Sequence, residues 1–120
     1  MISREFAEAF AAEWIDAWNS HDLDRILSHY ADDFQFASPF IPLVANEPSG
    51  ILNGLASVRD YWNRALERRP DLHFELVSLL IGVASLVICF TRHDGRTGAE
   101  VFEFGTGGKV IRSAAHYADR

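Results

Sequence analysis

The sequence predicts an α+β domain in which helices come first and a curved antiparallel sheet follows. Three observations carry that prediction. Bulky apolar residues recur every four positions through the first twenty, the spacing of one helix face. After Pro70 the chain reads as four strand-like runs, "LHFELVSLLI", "ASLVICFTR", "GAEVFEF" and "KVIRSAAHYA". Those runs are separated by Gly82, "HDGR" and "GTGG", and reversals this short join antiparallel neighbours.

The elements follow in order. A first helix is expected from about Ser3, its N-cap, to about Asn19, with Phe6, Phe10, Trp14 and Trp18 as one ridge and Glu5, Glu13 and Asp16 mostly off it. "NSHD" breaks it. Asp22 then caps a short second helix, because its carboxylate accepts from orphan backbone N–H groups, and Leu23, Ile26, Leu27 and Tyr30 form the apolar stripe. Asp32 and Asp33 end that helix, and "FQFAS" alternates as a strand with Phe34, Phe36 and Ser38 on one face. Residues 39–54 hold three prolines and two glycines and read as a long irregular connection, a type often used as a functional cover. A third helix, from about Ser57 to Arg68, buries Val58, Tyr61, Trp62, Ala65 and Leu66 before Pro70 ends it. Asp94-Gly95 marks a hairpin.

Composition bounds the function. With 120 residues the chain is one domain, 1–120, and 48% hydrophobic with 23% charged residues is ordinary for a soluble protein. A net charge of −6 argues against nucleic acid as a partner and against a substrate selected for negative charge, leaving room only for a local basic spot. The single Cys89 excludes an internal disulfide and sits in an apolar run, as a buried inert thiol does. No apolar stretch is long enough to span a membrane, and the charged N-terminus is unlike a signal peptide, so no membrane partner and a cytoplasmic location are expected.

Two strands are apolar on both faces: Leu76, Leu80, Leu86, Ile88 and Phe90 on one, Val77, Leu79, Ile81, Val87 and Cys89 on the other. Helices cover one face of such a sheet, and a second subunit is the simplest cover for the other. A homodimer through the sheet is expected.

"AWNSHDLDRILSHYADDFQFASP", "GLASVRDYWNRAL" and "VFEFGTGGKVIRSAAHYAD" together resemble the nuclear transport factor 2-like superfamily, in its SnoaL-like and ketosteroid-isomerase-like branches, across nearly the whole chain. The resemblance implies a cystatin-like cone, a curved sheet wrapped around three helices from the first half of the chain, with an apolar pocket at its open end and dimerisation through the sheet. In the steroid isomerases an aspartate base precedes a proline after the first strand; that position corresponds to Ser38. Their oxyanion-donating tyrosine corresponds to Trp14, the tyrosine supporting it to Trp62, and their protonated aspartic acid to Glu100. A serine does not take a proton from carbon unaided, and an indole N–H donates but does not accept. Steroid isomerisation by that mechanism is therefore not expected, and a fold alone does not assign another activity.

Glu100 is the sharpest candidate for catalysis. It shares strand parity with Phe102 and Phe104, and a carboxyl in apolar surroundings has its pKa raised toward neutrality. The alternative is a solvated strand end paired with Arg92 or Arg96. Trp14, Trp18, Tyr30 and Trp62 read either as core or as the wall of a site for a flat apolar ligand, with Ser38, Phe102 and Tyr117 beside them. Ser113 and Ala115 on the last strand leave room. The histidines (His21, His29, His73, His93, His116) lack metal-ligand spacing, the glycines of "GTGG" precede no helix, and no nucleophile motif is present, so no metal and no cofactor are expected. The expected function is binding of a neutral, largely apolar small molecule, with isomerase, cyclase or hydrolase chemistry at Glu100 if there is catalysis. The rival is a non-catalytic binding or dimerisation module.

Overall fold

The computed structural model describes residues 1–118. Helix α1 (Arg4–Ser20) starts at Ser3, whose hydroxyl accepts the Phe6 N–H at 3.1 Å, and stops at His21, which turns left-handed with φ 60°. Helix α2 (Leu23–Leu27) starts at Asp22, whose carboxylate accepts the Arg25 N–H. Arg25 then donates twice to Glu13 across the two helices, at 2.7 and 2.9 Å. That guanidinium, helped by His29 and opposed by burial, holds the Glu13 carboxyl down at about 2. A solvent-exposed pair of this kind adds little stability; it links α1 to α2.

The second helix is shorter than its apolar stripe implies. Strand β1 (Tyr30–Ala37) begins at Tyr30, so Tyr30, Asp32 and Asp33 belong to the sheet and not to a helix end. The reason is tertiary: the Val110 N–H donates to His29 O and Tyr30 pairs with Val110, which draws the chain into the sheet after one helical turn. Residues 39–54 are also less irregular than expected. They contain a fourth helix, the single turn α3 (Ile41–Val44), with Pro42 tolerated in its first turn, and strand β2 (Ile51–Asn53), which pairs antiparallel with β1. Helix α4 (Leu55–Arg68) starts ahead of Ser57, because Gly54 adopts φ 88° and donates its N–H to Phe34 O.

Strands β3 (Glu75–Ile81), β4 (Ser85–Thr91), β5 (Thr97–Phe104) and β6 (Val110–Tyr117) form an antiparallel meander. The six-stranded sheet has the order β2-β1-β6-β5-β4-β3, curved and unclosed, with β1 and β6 paired parallel. The expected face assignment of β3 is corrected by a bulge between Leu76 and Ser78. Beyond it, Leu79 opposes Ile88 and Ile81 opposes Leu86, so these two join the buried face, whereas Leu80 opposes Val87 on the outer one. Helix α1 lies against the sheet, α4 against β1 and β2, and the core fills the concavity between them. Phe6, expected on the buried ridge of α1, is exposed at its end. At Gly98 a Cβ would sit 2.7 Å from the Phe90 ring, so the glycine is what lets that ring lie across β5. Among the described residues no helix is long and apolar enough to cross a membrane.

Candidate functional site

A cavity of about 490 Å³ opens at one end of the concave face. Each wall follows from an element's period. Trp14 and Trp18, four residues apart on α1, form one side; Tyr61, Trp62 and Ala65 on α4 form another. The sheet contributes Phe36, Phe90, Glu100 and Tyr117, and Phe40 and Val44 from the 39–54 connection reach over the opening. Phe74 joins them because the Asn19 side chain both donates to its carbonyl at 2.9 Å and accepts its N–H at 2.8 Å, which ties the start of β3 to the end of α1. Phe74 thereby stacks on Trp14, with centroids 5.6 Å apart.

Glu100 is the one carboxylate among the lining residues. It is 6% exposed and lies between Ile88 of β4 and Ala115 of β6. Burial pushes its carboxyl up to about 8, against a smaller opposite pull from Ser113. The Ser113 hydroxyl is itself buried and makes no well-directed hydrogen bond among the described residues, so that pull is weak. Arg92 does not neutralise it: its ion pair is with Asp94, at 3.9 Å. The solvated alternative for Glu100 is thus overturned by its burial. Burial first and the Glu100 charge second push the phenols of Tyr30 and Tyr117 well up, and burial does the same for Tyr61.

Of the residues singled out from sequence, Trp14, Trp18, Trp62, Glu100 and Tyr117 line the cavity. Tyr30, Ser38 and Phe102 are buried behind its wall. Tyr30 accepts the Trp14 indole N–H at 3.0 Å, which fixes that ring and leaves it no free donor. Ser38 accepts the Phe40 N–H at 3.2 Å and so anchors the cover over the opening. Trp18 differs: its indole N–H is buried with no partner among the described residues. Phe40, Phe74, Tyr61, Phe90, Arg92 and His93 were not named as site residues. Arg92 continues the parity of Leu86, Ile88 and Phe90 and was legible on that ground; the basic rim added by Arg68 and Arg69 was not, since nothing in sequence brings the end of α4 to the β4–β5 hairpin.

The model of the SnoaL-like domain family matches residues 11–117. The chain belongs to the SnoaL-like family. A SnoaL-like protein of unknown function from Burkholderia thailandensis is 52% identical, with a TM-score of 0.93 over 98% of each chain. A cystatin-like-fold protein of unknown function from Methylobium petroleophilum is 22% identical, with a TM-score of 0.76 over 99% of this chain and 80% of its own. An NTF2-like protein of unknown function from Burkholderia pseudomallei is 16% identical, with a TM-score of 0.75 over 97% and 92%. The last two show the shared fold alone. No curated protein matches the chain.

Within this SnoaL-like pocket the chemistry is narrow. The Trp14 donor is spent on Tyr30, and Ser38, which accepts the Phe40 N–H, has its hydroxyl beside the Tyr61 and Tyr117 phenols but is no base. Glu100 holds a titratable carboxyl on the wall, Tyr61 and Tyr117 offer phenols, and Trp18 offers a donor. Among the described residues, no group of three or more His, Cys, Asp or Glu side chains is placed to hold a metal ion.

Proposed function

We propose that this SnoaL-like domain binds a flat, largely apolar small molecule in the cavity and that Glu100 is its acid–base residue, in an isomerisation, cyclisation or hydrolysis. The observation that carries the proposal is a carboxyl held near neutrality on the wall of a cavity large enough for a small organic ligand. A group titrating near the working pH both donates and accepts a proton readily, as general acid–base catalysis requires. The unpartnered Trp18 N–H supplies a donor for a ligand oxygen, and the surrounding rings supply flat apolar contact. Steroid isomerisation stays outside the proposal, because Ser38 stands at the position of the base.

Titration of tryptophan fluorescence with a panel of apolar ketones, phenols and epoxides tests this. Saturable quenching whose affinity changes with pH across about 8 in the wild type, and loses that dependence in Glu100→Gln, is the expected result. No response from any compound would sink the proposal and leave the second reading, a non-catalytic module.

The outer face of the sheet bears on assembly under both readings. Val77 is 64% and Leu80 58% exposed, next to Val87, Cys89 and Val101 on the same face. Apolar side chains in that density on one sheet face are the mark of an interface. We propose a homodimer through this face, compatible with either reading. Sedimentation at micromolar concentration should give twice 13.5 kDa, and Val101→Arg should give a folded monomer. A wild-type monomer contradicts the dimer.

A further inference from the structure

The mouth of the pocket has a charge opposite to that of the chain. Three arginines and one histidine line it (Arg68, Arg69, Arg92 and His93), against a net charge of −6 for the whole sequence. Arg69 is engaged by Asp71 at 2.9 Å, but Arg92 is not held in the same way. Its side chain is only 15% exposed, lies over the Tyr117 ring at 4.7 Å and near the Phe40 ring at 5.5 Å, and meets its nearest carboxylate, Asp94, at 3.9 Å. Asp94 is turned toward the hairpin, where it accepts the Arg96 N–H at 3.1 Å. The Arg92 guanidinium makes no side-chain hydrogen bond among the described residues. Beside it, His93 lines the cavity with Nδ1 buried and without a hydrogen-bond partner among the described residues.

A guanidinium withdrawn from water, lying over a pair of packed aromatic rings and left with its N–H fork unfilled is built to receive a planar oxyanion. We infer that the ligand is a flat hydrocarbon acid whose carboxylate docks on Arg92 at the mouth while its apolar body reaches inward toward Glu100. This deepens the small-molecule reading above and rests on it. Register sets the scale: Arg92 lies four residues beyond Ile88, the partner of Glu100, a separation of about 13 Å between backbone positions before side chains reach in. Tyr117 bridges the two, feeling both the Arg92 and the Glu100 charge. That space accommodates one to three fused rings. The whole-chain charge, from which a neutral ligand was expected, then acts in the opposite sense: it repels anions everywhere except at this mouth.

Calorimetric titration of the full chain with isosteric pairs decides the matter: benzoate and benzamide, 2-naphthoate and 2-naphthamide, anthracene-2-carboxylate and its amide. In at least one pair the acid should bind about tenfold more tightly than the amide, and added salt should narrow that gap. Arg92→Gln should abolish the preference, weakening the acid by about tenfold more than the amide. Equal affinity of wild type for acid and amide would overturn the anion site and leave the apolar pocket standing. Binding of neither member of any pair would overturn the pocket reading together with the inference. A preference that survives in Arg92→Gln would remove Arg92 from the role. Should that variant fail to fold, Arg92→Met, which keeps an apolar stem over the rings, takes its place, and an acid preference that survives in it overturns the assignment.

Discussion

Glu100→Gln is expected to gain on wild type in stability as the pH rises from about 5 to about 8, and to keep that margin at higher pH. The folded protein holds the Glu100 carboxyl at about 8, above its ordinary value of 4.5, because burial disfavours the charged form. Between those two values the folded state binds the proton and the unfolded state does not, so wild-type stability is greatest below 4.5 and falls as pH climbs through 8. At 1.36 kcal/mol per unit the full loss is on the order of 5 kcal/mol, and relaxation or water entry reduces it in practice. The glutamine is neutral throughout. Urea denaturation at pH 5, 7 and 9 should show the variant within about 1 kcal/mol of wild type at pH 5 and about 2–4 kcal/mol more stable at pH 9. Parallel pH profiles for the two proteins would mean that Glu100 is solvated or paired when folded.

Trp14 carries the second large effect. It is 2% exposed, stacks on Phe74, meets Trp18, Phe90 and Phe102, and donates to the buried Tyr30 hydroxyl. Trp14→Ala combines a large cavity with an unpaired hydroxyl and should cost about 3–5 kcal/mol, a large part of the stability of a domain this size. Trp14→Phe keeps much of the ring contact and should cost about 1–3 kcal/mol, chiefly through Tyr30. Tyr30→Phe separates the terms, since it removes the hydrogen bond and keeps the packing. Thermal melts or denaturant curves on the three variants check the order. A loss below about 1 kcal/mol for Trp14→Ala would mean that Trp14 is not part of the packed wall.

The order of the longer helices and strands was legible because it rests on local period: four-residue spacing on α1, Gly and Pro punctuation, and Asp94-Gly95 at a turn; α3 and β2, inside the Pro- and Gly-rich 39–54 segment, were not. Misreadings came where distant residues decide. Tyr30 has the spacing of a helix residue, yet Val110 and His29 pull it into the sheet. Leu80 has the parity of Leu86, yet a bulge at Val77 reverses it, and no turn residue announces the bulge. The site divides in the same way. Glu100 and Tyr117 could be read from strand alternation beside aromatics, and Trp14, Trp18 and Trp62 from helical spacing. The mouth could not, because Arg68 and Arg92 come from elements joined only by the curvature of the sheet. Ser38 drew notice by strand parity and by resemblance; its hydroxyl accepts the Phe40 N–H and lies beside the Tyr61 and Tyr117 phenols, a junction no local pattern announces.

The central claim is that a carboxyl on the wall of an open cavity stays protonated at neutral pH. The most direct measurement is a titration of the glutamate side-chain carbonyl carbons by 13C NMR, with Glu100 assigned by its disappearance in Glu100→Gln. A Glu100 midpoint near 8, shifted again when a ligand saturates the pocket, is the predicted result. A midpoint near 4.5 that no ligand moves would contradict it.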